Sequence, residues 1–190
     1  LVGSEMCIRD SIYVDGAELQ NFEVQEIRKA VVYVSQEDFL FTASVRENLK
    51  MGNEEISDEE MIEISRKMGV HQFVSKMERE YDSVLEERGK NLSKGQRQKL
   101  SLTRAILRHP KILILDEATS NMDSISEREI LNYIKGIRDI TLILISHRIN
   151  VIADSDCIYV LQKGNIVARG TDKQLKEQCK LYRQLYGEEE

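Results

Sequence analysis

Two short stretches hold the residue types and spacing that could do chemistry. Asp116 and Glu117 stand side by side after the apolar run Ile112-Leu113-Ile114-Leu115, and Leu92-Ser93-Lys94-Gly95-Gln96 precedes them. A strand ending in two adjacent carboxylates, after a turn that opens a helix, suits a nucleoside triphosphate and its magnesium. Magnesium takes one or two carboxylates and completes its shell with phosphate oxygens and water. A Ser-x-x-Gln turn that opens a helix presents unpaired N–H groups and a partial positive charge, which suits a phosphate. Together these point to ATP hydrolysis. Taken singly they are open, because Ser-x-x-Gln is also an ordinary capping box and a paired acid is also an ordinary solvated sheet edge.

Two further positions belong with them. His147 follows Ile145-Ser146 at the end of its own strand, so it is expected on the same sheet edge as Asp116; His71 and His109 read as structural histidines. Gln36 ends another short strand and stands between an exposed turn residue and a polar group facing the site. A glycine-rich phosphate loop, Gly-x-x-x-x-Gly-Lys followed by Ser or Thr, does not occur. The only Gly-Lys is Gly89-Lys90, followed by Asn91 and lacking the upstream glycine.

The elements that must position these residues alternate in type. Ile12-Tyr13-Val14 runs into the turn signal Asp15-Gly16, and Ala30–Val34 is a β-branched strand ending at Ser35-Gln36. Helical patterning begins at Val45. Ser57-Asp58-Glu59-Glu60 reads as a capping box, with Gly69 as the stop. The helix opened by Ser93 carries apolar Leu100, Leu102, Ala105, Ile106 and Leu107 to its stop at Pro110. Ile112–Leu115 and Thr141–Ile145 are uniformly apolar and too short for helices, which predicts strands buried on both faces of a parallel sheet. Between them, Ser124-x-x-Glu127 is expected to cap a helix to about Gly136. Cys157–Leu161 and Asn165–Arg169 flank Gln162-Lys163-Gly164 as a hairpin, and Thr171-x-x-Gln174 opens the last helical segment. The class is α/β with a largely parallel sheet, and residues 39–108 form a mostly helical side subdomain.

Composition narrows the function. Of 190 residues, 33 are acidic and 27 basic, a net charge of −6 that argues against broad nucleic-acid binding. No apolar run approaches the roughly 18 residues of a membrane-spanning helix, so a membrane role needs a partner or another segment. Cys7, Cys157 and Cys179 have no metal-site spacing and read as reduced thiols in a cytoplasmic compartment. Leu1–Asp10 is not a secretion signal and does not lead into the Ile12 strand. Residues 1–11 are therefore expected to be foreign to the native protein, which would continue upstream of Ile12. Glu188-Glu189-Glu190 is expected to be a disordered tail.

With its surroundings, Leu92-Ser93-Lys94-Gly95-Gln96 resembles the LSGGQ signature of the ATP-binding cassette (ABC) family. The family's other motifs follow in order: Gln36 after a strand, Ile112–Glu117 as the Walker B strand, Ser120-Asn121-Met122-Asp123 as the D-loop, and His147 after a strand. The resemblance covers about Ile12 to Gly187 and implies a P-loop NTPase (RecA-like) core over 12–38 and 109–187. It also implies an α-helical signature subdomain over 39–108 and a small antiparallel β element. Asp116 would hold Mg2+ with Gln36, Glu117 would polarise the attacking water, and His147 would contact the γ-phosphate. Ser93, Lys94, Gly95, Gln96 and Asp123 would meet the ATP of an opposite protomer, so the partner is a second ABC ATPase domain in a homo- or heterodimer. Lys94 departs from the family's glycine.

Ser83-Val84-Leu85-Glu86-Glu87-Arg88-Gly89 resembles the exporter segment in which an acid, here Glu87, meets the membrane domain's coupling helices; Glu86 replaces a usual glycine. With Val45–Leu49 it favours an exporter with transmembrane helices upstream in the same polypeptide, working at the cytoplasmic face of the plasma membrane. The alternatives are an importer's separate ATPase subunit and a DNA-repair or chromosome-maintenance ATPase. The second would carry a long coiled coil between Gln36 and Ser93, an interval that here is short and without heptads. The family's phosphate loop precedes the Ile12 strand, so this chain alone is expected to bind ATP poorly and to hydrolyse essentially none.

Overall fold

The computed structural model describes residues 11–36 and 39–185. The expectations for the leader and for the acidic tail lie outside the described residues. Seven strands and nine α-helices follow one another among the described residues, with three short 3-10 turns.

Strands β3 (Val31–Val34), β4 (Ile112–Asp116) and β5 (Thr141–Ile145) form a parallel sheet in the order β3-β4-β5. Register pairs Val34 with Leu115 and Asp116 with Ile145, so all three strands end at one edge. Two antiparallel pairs stand apart from this sheet: β1 (Tyr13–Val14) with β2 (Ala17–Glu18), and β6 (Ile158–Gln162) with β7 (Asn165–Gly170). The β1–β2 turn places Asp15 and Gly16 at φ 50° and 80°, as its Asp-Gly signal predicts.

Alternation along the strands decides what is buried. Val32, Val34, Leu113 and Leu115 point into the main core, with Leu113 wholly buried. The opposite face is open: Tyr33, Ile114 and Ile143 stand in one cross-strand row, and Tyr33, Ile143 and Ile145 are 57, 44 and 48% exposed. The expectation that β5 is buried on both faces is therefore wrong. As the edge strand of three, covered on one side, β5 keeps an exposed apolar face, and a uniformly apolar run cannot say which face is covered.

Helices α2 (Val45–Lys50), α3 (Asp58–Lys67), α4 (His71–Val74), α5 (Lys94–Leu107) and α6 (Ser124–Lys135) share one hydrophobic core with the sheet. Leu49, Met61, Met68, Val74, Leu100, Leu102 and Ile134 lie in this core with Leu113 and Leu115. A second, smaller cluster joins the hairpin to α7 (Ile149–Ile152), α8 (Asp172–Gln178) and α9 (Lys180–Leu185) through Ile149, Ile158, Val160, Leu175 and Tyr182.

Most predicted caps are present. Ser93 with Gln96 and Thr171 with Gln174 form reciprocal capping boxes. Ser57 accepts from the Glu60 N–H, which is half of its expected box. Helix α3 stops in a Schellman motif: Gly69 takes φ 69° and donates to Arg66, while Val70 donates to Ser65. One cap is misplaced by the sequence reading. Asp123, not Ser124, is the N-cap of α6, accepting from the Ser126 N–H at 2.9 Å. Glu127 is not its capping partner, because its carboxylate turns away to Arg148.

Candidate functional site

The sheet edge gathers the residues expected there. Asp116 is the last residue of β4, and Glu117 follows it at φ 49°, a left-handed conformation uncommon for a non-glycine residue. Two bonds hold that backbone: the Glu117 N–H donates to the Ile145 carbonyl at 2.9 Å, and the Ser120 N–H donates to the Glu117 carbonyl at 3.1 Å. His147 leaves β5 at the same level, and its Nδ1 lies 2.9 Å from Glu117 Oε1. A carboxylate can only accept, so Nδ1 carries the hydrogen. Gln36, exposed, leaves β3 beside them, two residues past the Val34–Leu115 pair.

Asp116 has a neighbour that sequence reading missed. The Tyr33 hydroxyl donates to Asp116 Oδ2 at 2.7 Å, and that bond to a carboxylate pushes the phenol above its ordinary pKa. Alternation in β3 could have placed Tyr33 on the outer face, but only the β3–β4 register puts it diagonal to Asp116. The donor set suits magnesium: a carboxylate and an amide oxygen at one edge. Among the described residues no group of three or more His, Cys, Asp or Glu could cage a metal. An ion that takes only one or two protein ligands and completes its shell with phosphate and water fits such an edge.

The second constellation lies at the start of α5. Ser93, Lys94, Gly95, Gln96 and Lys99 line a recess of about 380 Å³ with Asn121, Met122 and Asp123. The capping box uses the Ser93 N–H, which donates to Gln96 Oε1 at 2.9 Å, and the Gln96 N–H, which donates to Ser93 Oγ at 3.2 Å. The N–H groups of Lys94 and Gly95, in the first turn, have no intrahelical acceptor. The loop after Glu117 packs tightly on this helix. A Cβ at Gly95 would stand 3.1 Å from the Asn121 carbonyl oxygen, while the Asn121 N–H donates to buried Gln98 Oε1 at 3.0 Å. Asp123 sits below the usual carboxylate range, chiefly because it accepts the Ser126 N–H.

The remaining expected residues separate cleanly. Glu87 stands on an exposed 3-10 turn, 3.3 Å from Lys90, with exposed Val84 nearby in the chain. His71 pairs with the Tyr81 hydroxyl at 3.0 Å and His109 with Glu60 at 2.8 Å, as structural histidines do. Cys157 and Cys179 are free thiols. No described helix is long and apolar enough to cross a membrane.

Comparison with known proteins gives the family. The family model for the ABC transporter matches residues 1–120. The heterocyst differentiation ATP-binding protein HepA of Nostoc sp. is 42% identical over 88% of this chain and 28% of its own length. The putative export ATP-binding/permease protein RC1073 of Rickettsia conorii is 38% identical over 94% of this chain and 31% of its own length. The solved structure of a bacterial Atm1-family ABC exporter with ATP bound superposes with a TM-score of 0.88 at 30% identity, covering 93% of this chain and 31% of that one. The chain thus spans less than a third of each of these relatives, and by sequence and fold alike it belongs to the ABC transporter family, as part of an ATP-binding domain.

Proposed function

We propose that this chain is the greater part of the ATP-hydrolysing domain of an exporter, in which ATP-driven pairing of two such domains moves attached transmembrane helices. The observation that carries the reading is the convergence of Asp116, Glu117 and His147 on one sheet edge, with Glu117 and His147 in hydrogen-bond contact at 2.9 Å. Asp116 and Gln36 would hold magnesium. When bound, that ion would supply positive charge to offset the negative charge that develops during phosphoryl transfer. Glu117 would accept a hydrogen bond from the attacking water and align it with the phosphorus. His147 would steady that carboxylate through its Nδ1–H, and in its doubly protonated form, in which both ring nitrogens donate, would also offer Nε2–H to a phosphoryl oxygen. Ser93, Lys94, Gly95, Gln96 and Asp123 would serve the nucleotide of the opposite domain, with backbone N–H groups as donors and Lys94 adding a cation.

The split into a core over 12–38 and 109–187 and a helical part over 39–108 belongs to the same reading, with Glu87 on the exposed turn that would meet the membrane domain. Export is favoured by the relatives' own names, among them the export ATP-binding/permease protein of Rickettsia conorii and the iron-sulfur clusters transporter ABCB7 of Oryzias latipes. A chromosome-maintenance role is disfavoured, since among the described residues the longest helix between Gln36 and Ser93 has 10 residues. The site would work at the cytoplasmic face of a membrane.

The test is Glu117→Gln in the complete protein. Removing the carboxylate should lower ATP turnover by about 10²- to 10⁴-fold, the usual contribution of a positioned general base. Binding of a fluorescent ATP analogue should be retained. Turnover near that of the unchanged protein would refute the role of Glu117.

A further inference from the structure

Glu127 is only 3% exposed, and nothing in the hydrolytic arrangement above uses it. A carboxylate removed from water needs strong partners, and Arg148 supplies them as a fork: one guanidinium nitrogen donates to Oε1 at 3.0 Å and the other to Oε2 at 2.7 Å. Glu127 lies in the first turn of α6, its N–H bonded to the Asp123 carbonyl at 2.9 Å. Arg148 directly follows His147.

That adjacency matters because packing does not locate His147, whose side chain is 67% exposed. Its backbone is fixed on one side by the last β4–β5 pair, Asp116 with Ile145. On the other side stand the Arg148 N–H, which donates to Ser146 Oγ at 3.0 Å, and the Arg148 side chain on Glu127. Ile149 is buried just beyond, in the separate cluster with the hairpin, so it ties the chain to that cluster and not to α6. Val151, in α7, is buried in the main core with Ile130, Leu131 and Ile134 of α6, so the pair with Glu127 is the tie to α6 that stands directly beside His147.

We infer that Glu127 is a positioning residue: through its two-pronged pair with Arg148 it clamps the exit of β5 onto α6 and so holds His147 Nδ1 against Glu117 Oε1. The inference rests on reading Glu117 and His147 as the hydrolytic pair. Arg148 must be arginine for this, since a lysine ammonium is a point charge that cannot make two parallel bonds to one carboxylate. Loss of either partner would free the β5 exit to swing, and the imidazole would lose the contact that keeps its hydrogen on Nδ1.

The experiment reads the imidazole itself. In the labelled complete protein, the ring 15N–1H correlations of His147 and His71 are assigned by their loss in His147→Gln and His71→Gln. In mildly alkaline buffer, unchanged His147 should show chiefly the Nδ1-protonated form. Glu127→Gln and Arg148→Lys should each remove that form as the dominant species and leave His71, which lies in α4 and is bonded to Tyr81, as it was. His71 thereby reports that the fold is intact. Should Glu127→Gln fail to fold around its unpaired arginine, Arg148→Lys carries the test, because the arginine side chain is 28% exposed and its replacement keeps the charge. An unaltered His147 signature in either folded variant overturns the inference. In the complete protein, ATP turnover should fall about tenfold or more, as when other groups that orient a catalytic histidine are lost. KM should stay within about twofold, the pattern for an interaction made only in the transition state. A changed ring signature with unchanged turnover would instead overturn the hydrolytic role of His147 and leave the clamp standing.

Discussion

Glycine at position 95 and lysine at 94 make a paired prediction about the turn that opens α5. Both residues lie in the first helical turn, where replacing glycine by alanine ordinarily gains up to about 1 kcal/mol through reduced freedom of the unfolded chain. At Gly95 that gain meets an obstacle, since an added Cβ would stand 3.1 Å from the Asn121 carbonyl oxygen. Carbon–oxygen contacts of this kind settle at about 3.3–3.6 Å, so a shift of a few tenths of an ångström is required. The loop cannot give freely. Asn121 is bonded to buried Gln98 at 3.0 Å, and Met122 and Ser120 are bonded to Thr119 and Glu117 at 3.1 Å each. Gly95→Ala is therefore expected to gain nothing in stability, with the contact offsetting the propensity term. Lys94 is exposed, so Lys94→Gly should lose up to about 1 kcal/mol, or about 2–4 °C in Tm for a chain of this size. Urea titration of the two variants, with amide exchange of Asn121 to Asp123 as the local probe, measures both. A Gly95→Ala protein stabilised by the full propensity gain, with unchanged exchange in that loop, would show that close approach is not why glycine stands there.

Two further outcomes follow from the packing and the charges. Leu113→Ala, at the wholly buried centre of β4, should cost about 3–5 kcal/mol by chemical denaturation, because the surrounding sheet and helices cannot collapse into the space. At low pH the caps should weaken. Asp123 is held below the usual carboxylate range by the Ser126 N–H, Glu47 by the Ser44 hydroxyl and N–H, and Asp58 by Lys50. A carboxyl with a lowered folded-state pKa lends stability that is fully present above its unfolded value and disappears as pH falls through the folded one. The urea midpoint should thus hold down to about pH 5 and fall below about pH 4. Asp123→Asn, which can still cap but cannot titrate, should flatten part of that fall; an identical acid limb would refute the assignment.

Much of this arrangement was legible because the relevant signals are local. The capping boxes at Ser93 and Thr171, the stop at Gly69 and the strand before Asp116 each depend on residues within a turn or two. The sheet edge was legible for a related reason. Parallel strands start and stop together, so residues at the ends of different strands meet whatever separates them in sequence. Relations set by register and burial were not legible. Tyr33 reaches Asp116 only because Val34 pairs with Leu115, and the openness of β5 depends on its edge position. Glu127 carried a misleading local signal: three residues after Ser124 it mimics a capping partner, yet the chain caps with Asp123 and keeps the glutamate for Arg148, 21 residues away.

Ser93 shows why a bland reading and a functional one need not compete. The cap occupies an acceptor lone pair of its hydroxyl, which takes the Gln96 N–H, and leaves the hydroxyl hydrogen for another acceptor. The reciprocal bond from the Ser93 N–H to Gln96 removes one donor from the recess, while Lys94 and Gly95 keep theirs. A phosphate at this turn would therefore meet two backbone N–H groups and one hydroxyl that the cap has already fixed in place, at little further entropic cost. Gly95 serves the same end from the other side, since a bare Cα lets the Asn121 loop close over the turn. The features that make α5 begin at Lys94 are thus the same features that would make its first turn a stiff anion cradle, and replacing Ser93 would loosen the helix start and the cradle together.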